Sequence, residues 1–257
     1  MKMKRIGILL MGLFVLPALC KADTTDMLDS LKTVADKAFA EEKYERAAEL
    51  YNQIADSVAS VSVCYNLGCT YYRLDDMAHS VLWFERALKL NPADEDIEAN
   101  LQLAREKTID RITAKHNFVV LDIFYRMTSM LSLNQWTWTC ITLFILALVM
   151  LGVFLIADRV ALRKSGFFAS VLFLLLCILG NVCALYQKHE SSRHDAGIVM
   201  SSVVTVKSTP SEGGNDLFLL HEGTRVEIRD SSLKDWAEIE IADGKVGWIQ
   251  KKHFVII

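Results

Sequence analysis

A chain of 257 residues with 28 Lys and Arg, 31 Asp and Glu and a formal charge of -3 lacks the concentrated basic surface that nucleic-acid binding needs. A mean hydropathy of +0.26 with 23% charged residues is too apolar for a typical soluble protein and too charged for a compact transporter. Soluble modules joined to a few membrane spans fit both numbers.

The amino terminus places Lys2, Lys4 and Arg5 before the uncharged run Ile6–Cys20, then Lys21, Ala22 and Asp23. A basic start, a short apolar core and a small residue before the cut describe a secretory signal peptide over 1–22, cleaved after Ala22. The alternative is a lipoprotein acylated at Cys20, where Leu19 is a poor preceding residue.

Residues 23–107 form the first soluble module, helical in pattern and nearly free of Gly and Pro. Ala47 and Tyr51 recur 33 residues later as Ser80 and Phe84. The second copy is clearer, with Leu67, Gly68, Tyr71, Phe84, Ala87 and Pro92 in register, and VCYNLGCTYYRLDDMAHSVLWFERALKLNP resembles a tetratricopeptide repeat. It departs from the pattern at Cys64, where an aromatic is usual, and at Ser80, where Ala is usual. The first copy keeps Leu31, Val34, Ala35, Ala38, Tyr44, Ala47 and Tyr51 without the glycine, and Glu95–Lys107 supplies a capping helix with Asp94 as its cap. The resemblance implies binding of peptides or partner domains in a concave groove, with Asn66, Cys69, Tyr72 and Arg73 at the positions that face it. Asp75, Asp76, Asp94, Glu95 and Asp96 sit at turns and helix starts, where carboxylates cap amides rather than perform acid–base chemistry. Cys64 and Cys69 would stand about 140° apart around one helix, a poor geometry for a mutual disulfide.

Residues 108–135 are a connector whose run FVVLDIFYRMTSMLSL is interrupted by Asp122 and Arg126, and an amphipathic helix suits it, lying on a membrane surface or equally packed against the repeats. Two uncharged runs come next, 136–157 and 166–186, of which the first has 22 residues. As a helix it extends about 33 Å against a hydrocarbon core near 30 Å. Trp136 and Trp138 open the pair and Tyr186 closes it, at interfacial positions. Between them, loop 158–165 carries Arg159, Arg163 and Lys164, which assigns it to the cytoplasmic side. Both flanking modules are then exported, in agreement with the leader. Asn181, the one strongly polar residue deep in these runs, is expected to bond across to the neighbouring helix.

After linker 187–195, where His189 and His194 have no partner at ligand spacing, residues 196–257 switch to strand chemistry. The expected strands are Ile198–Lys207, Leu217–Leu220, Arg225–Asp230, Trp236–Ala242, Val246–Gln250 and Phe254–Ile257. Ala237, Ile239 and Ile241 alternate with Trp236, Glu238 and Glu240, and Asp243-Gly244 supplies a hairpin turn. Five or six short strands imply a small barrel. LHEGTRVEI and DWAEIEIADGKVGWI resemble the bacterial SH3 family, through Glu222-Gly223-Thr224, Trp236 and Gly247-Trp248. That family binds cell-wall peptides or proteins or supports its neighbours. Trp236 and Trp248 are candidates for a binding face, with at least one expected in the core.

The fold class expected is thus a multidomain membrane protein, an all-α tetratricopeptide array followed by a transmembrane α-hairpin and an all-β SH3-like barrel. That order of modules, and VVTVKSTPSEGGNDLFLLHEGTRVEI in particular, resembles the BatE family, the tetratricopeptide members of the bacterial Bat aerotolerance operon. The resemblance implies a two-pass inner-membrane protein with periplasmic domains. Its partners would be other Bat proteins and, indirectly, a MoxR-type ATPase, in stress tolerance. The function expected is a non-catalytic interaction scaffold, the alternative a peptidoglycan-binding anchor acting through the SH3-like module. No nucleophile–base pair, phosphate loop or metal-ligand spacing stands out, so neither an enzyme nor a cofactor is expected.

Overall fold

The computed structural model describes residues 27–111, 124, 127–192 and 195–257. The expected signal peptide and the Asp122/Arg126 pair of the connector lie outside these residues. The chain divides into two compact units between Asp76 and Met77.

Among its described residues the first unit holds three helices: α1 over residues 27–40, α2 (Tyr44–Ala55) and α3 (Val61–Arg73). In α2 the buried side chains Ala47, Leu50, Tyr51 and Ile54 recur at the spacing of one helix face. Ala35 and Ala38 of α1 and Val63, Cys64, Leu67, Gly68 and Thr70 of α3 are buried as well. Val34 is 54% exposed and stands off this core, and Leu31 and Tyr44 are half-buried, whereas the other residues expected in the first repeat are buried. Asp75 ends α3 in the left-handed region (φ 61), which Asp tolerates better than most residues, and the Asp76 amide donates to Tyr71 O.

The second unit opens with α4 (Met77–Leu90) and α5 (Glu95–Lys107). Asn91 and Pro92 separate them, and the Asp94 carboxylate caps α5 by accepting from the amides of Asp96 and Ile97. Ile97, Leu101 and Ala104 form the buried stripe of α5.

Helices α6 (Leu133–Ile156) and α7 (Val160–Ser192) come next as an antiparallel hairpin. Both are long and apolar enough to cross a membrane. Only 11% of the apolar window of the first and 17% of the second is buried, whereas a core helix of a soluble protein is mostly covered. Small residues let the two backbones meet. A Cβ on Gly180 would lie 2.8 Å from Cys140 Sγ, and one on Gly166 would lie 2.9 Å from Phe154 N. Ser170 Oγ donates to Ala147 O at 3.0 Å, and the Cys140 and Cys177 thiols each donate to the other's carbonyl at 3.8 and 3.5 Å.

Three expectations change here. Asn181 donates within its own helix, to Cys177 O at 2.9 Å, because it stands on the exposed face of α7, off the interface that Gly180 and Cys183 enter. The loop over 158–165 shrinks to three residues, since α7 starts at Val160. The linker over 187–195 is helical as far as Ser192, as Gln187, Lys188 and Glu190 are good helix formers and extend the preceding turn.

Seven strands complete the unit: β1 (Ala196–Val199), β2 (Val203–Lys207), β3 (Asp216–His221), β4 (Arg225–Asp230), β5 (Trp236–Glu240), β6 (Val246–Gln250) and β7 (Phe254–Ile256). They form one antiparallel sheet in the order β3-β2-β6-β5-β4-β1-β7. The single strand expected over Ile198–Lys207 is two, broken at Met200–Ser202, where the Met200 amide makes the last bond on the β7 side, to His253 O. Val199, Val204, Val206, Leu220, Val226, Ala237, Ile239, Ile249 and Phe254 share one core, so every strand contributes to it. A flat seven-stranded sheet would be roughly 29 Å wide, so its two edges can share a core only because it curls. Gly223 (φ 82) and Gly244 (φ 85) take left-handed conformations in the turns after β3 and β5.

Within this unit the sheet is fastened to α4 and α5. The Glu85 carboxylate, 4% exposed, accepts from Arg105 of α5 and from Arg225 of β4, the latter at 2.9 Å. Arg86 and Lys89 donate to the carbonyls of Ile256 and Ile257, each at 2.9 Å. Asp110 receives the His221 amide, the His221 ring and the Thr224 hydroxyl, all at 2.7 Å. Burial pushes the Asp110 carboxyl up, but those hydrogen bonds outweigh it and hold the group below the usual carboxylate range.

This clamp has two measurable consequences. Arg105→Met with Arg225→Met leaves a buried carboxylate without a counterion and costs about 3–5 kcal/mol in denaturant unfolding of the detergent-solubilised chain. Glu85→Leu costs less, because both guanidinium groups, 40% and 41% exposed, return to water. Asp110, depressed in the folded state, contributes stability that is present above about pH 4 and lost as pH falls through its folded value. Asp110→Asn therefore flattens the acid limb of the melting temperature between pH 7 and pH 3.

Candidate functional site

The three-helix unit contains a small cavity of about 190 Å³ lined by Asp36, Phe39, Tyr51, Tyr65, Asn66 and Cys69. Helix periodicity gathers them: Asp36 and Phe39 are three apart on α1, while Tyr65, Asn66 and Cys69 lie within about one turn of α3.

At its centre is the Asp36 carboxylate. Oδ1 accepts from the Tyr51 hydroxyl at 2.5 Å and from Asn66 Nδ2 at 3.2 Å, and Oδ2 accepts from Lys32 Nζ at 2.9 Å. Asn66 Nδ2 also donates to the Tyr51 oxygen at 3.1 Å, so it is shared between two acceptors that are themselves hydrogen-bonded to each other. Burial pushes Asp36 up, but the Tyr51 hydroxyl, the hydrogen bond and charge of Lys32 and the Asn66 amide together hold it below the usual range. Burial and the adjacent Asp36 charge raise the Tyr51 phenol, so it stays protonated as a donor. Burial also pushes the Cys69 thiol up, against Tyr65 and Arg73, which leaves it a neutral thiol and a poor nucleophile.

Of the four residues the sequence placed in a groove, Asn66 and Cys69 line this cavity. Tyr72 is half-buried and Arg73 exposed, and neither lines it. Arg73 comes two turns after Asn66, about 10 Å further along the axis. Asp36, Phe39, Tyr51 and Tyr65 were missed. Tyr51 reads as a core aromatic, and its packing hides the hydroxyl's role. Asp36 carried a usable signal, a carboxylate beside the buried Ala35 and two residues before the buried Ala38.

Trp236 and Trp248 stand on adjacent strands and on the sheet face away from the core. Their neighbours Ala237 and Ile249 are buried, whereas both tryptophans are half-buried. Neither joins the core, contrary to the expectation that at least one would. Trp248 faces Lys207 on β2 and Glu238 on β5, and Trp236 faces Gln250. A larger cavity of about 830 Å³ borders Arg105, Asp110, Thr224, Arg225 and Glu227. Of these, Arg105, Arg225, Asp110 and Thr224 are engaged in the clamp already described, and Glu227 pairs with Arg225. Among the described residues, no group of three or more His, Cys, Asp or Glu is placed to hold a metal ion.

Tyr51→Phe removes the shortest donor to Asp36, so the Asp36 carboxyl rises toward the ordinary value near 3.9. A carbon-13 carboxyl titration of the aspartate-labelled chain reads the shift directly.

A tetratricopeptide-repeat family model matches residues 61–94, which include α3 and α4, whereas a search of curated proteins finds no match to the chain. Repeats of this kind are typically non-catalytic protein-interaction modules, and the helical array, the two apolar helices and the seven-stranded antiparallel sheet of this chain fit a multidomain membrane protein built around one.

Proposed function

We propose that the chain is a membrane-anchored, non-catalytic scaffold that holds an interaction array and a sheet module on one side of a bilayer. The observation that carries this is the matched repeat over residues 61–94, in a chain that also contains two lipid-compatible helices. The clamp supports a pair of crossings. Arg105 and Asp110 precede the hairpin, Arg225, His221 and Thr224 come after it, and the two sets meet. One crossing would separate them across the bilayer; two bring them back together.

Arg159, Arg163 and Lys164 lie in the short turn and the first turns of α7, which favours the cytoplasm for that end and the periplasm for the modules. The SH3-like reading of the sheet module, and a place beside other Bat aerotolerance proteins and a MoxR-type ATPase, rest on the resemblance of motifs and module order. The partners would be proteins met through the helical repeats.

A second reading makes the sheet module a peptidoglycan anchor, and the two tryptophans, diagonal to one another on adjacent strands and off the core, favour it. Amphipathic rings on a solvated face suit sugars or peptides. Photo-crosslinkers placed at Tyr72, Arg73 and Trp248 of the full chain in its own membrane separate the two. The scaffold reading expects discrete protein adducts from positions 72 and 73. Adducts to cell wall from position 248, with none from 72 or 73, would replace it with the anchor.

A further inference from the structure

We propose that the cavity of α1–α3 is a cation subsite that takes the side chain of a lysine or arginine from a partner polypeptide. This deepens the scaffold reading and rests on it.

The argument is one of donors and acceptors. The donors around the carboxylate are turned onto it: the Tyr51 hydroxyl donates to Asp36, the Asn66 amide is shared between Asp36 and Tyr51, and the Lys32 ammonium donates to Asp36. An anionic ligand would therefore compete with an ionised carboxylate for these same groups.

The positions left open are electron-rich. A carboxylate has about four lone-pair positions, and Asp36 fills three. Among the described residues, no donor is directed at Asn66 Oδ1. Phe39, Tyr51 and Tyr65 contribute aromatic walls, and such rings attract an ammonium or guanidinium group. A cavity of about 190 Å³ has room for one side chain rather than for a folded domain.

Lys32 is the competing cation. It does not line the cavity, and its pair with Asp36 spans i to i+4 with the two side chains 31% and 44% exposed. Exposed pairs of this kind contribute little, so a second cation is not shut out.

The test uses the full chain in detergent micelles, immobilised and exposed to a positional-scanning octapeptide library with amidated carboxy termini. The expected result is enrichment of Lys or Arg at one position. The best such peptide should bind Asp36→Asn about tenfold more weakly, the loss of one charge-assisted contact. Lys32→Met leaves the other three cavity bonds in place and removes the competitor, so it should bind the same peptide about two- to threefold more tightly. Enrichment of Asp or Glu, unchanged affinity in Asp36→Asn, or weaker binding by Lys32→Met would each overturn the subsite. Retention of peptides with no basic preference defeats the subsite and leaves the scaffold reading standing. Retention of no peptide at all defeats the subsite and the peptide-binding array with it.

Discussion

A carboxylate taken out of water has to be answered by positive charge, and Glu85 is answered from two distant parts of the chain. Arg105 comes from the neighbouring helix α5 and Arg225 from strand β4, 140 residues away in sequence. The arrangement is asymmetric. Glu85 is enclosed while its partners remain partly wet, so the cost of disruption falls on the acid rather than on the arginines. Asp110 repeats the logic a few residues further on, collecting an amide, a hydroxyl and an imidazole from the β3–β4 turn. Gly223 in that turn is held to glycine twice over, by its positive φ and by Thr108, whose methyl would sit 2.6 Å from any Cβ.

Because of this clamp, the hairpin cannot be treated as a passive tether. Its two ends enter and leave a body that is closed by contacts between residues ahead of α6 and residues beyond α7. The helices approach through Cys140, Ala147, Gly166, Ser170, Cys177 and Gly180, small residues that admit close backbone contact where lipid offers no hydrophobic drive to associate. Outward they leave Leu155, Phe168 and Leu185 uncovered at 70%, 68% and 66%, a surface suited to acyl chains. At the Trp136 end, the indole donates to Thr128 O and Gln187 donates to Leu131 O, tying polar groups down where the helices meet the preceding segment.

Much of this was readable in advance because it is local. The 33-residue offset marks the repeat, the alternation from Trp236 to Ile241 marks β5, and Asp243-Gly244 marks the turn after it. Uninterrupted apolar runs mark α6 and α7. The features that escaped depend on neighbours that sequence distance conceals. Nothing near Glu85 in the chain announces Arg225, and nothing near Asp110 announces Thr224. The cavity was half visible for the same reason: Asn66 and Cys69 derive from the repeat pattern, but Asp36 and Tyr51 matter only once α1 and α2 are folded against α3. Asn181 was misjudged because polarity alone suggests a partner across the interface, whereas its own helix supplied one.

Whether the segments before and after the hairpin occupy the same compartment is the most direct test of the whole arrangement. Paired reporter fusions, one joined after Lys107 and one after Ile257, read that compartment independently at the two points. The account predicts the same side for both. Opposite sides would contradict it, since Glu85 and Arg225 cannot meet through a bilayer.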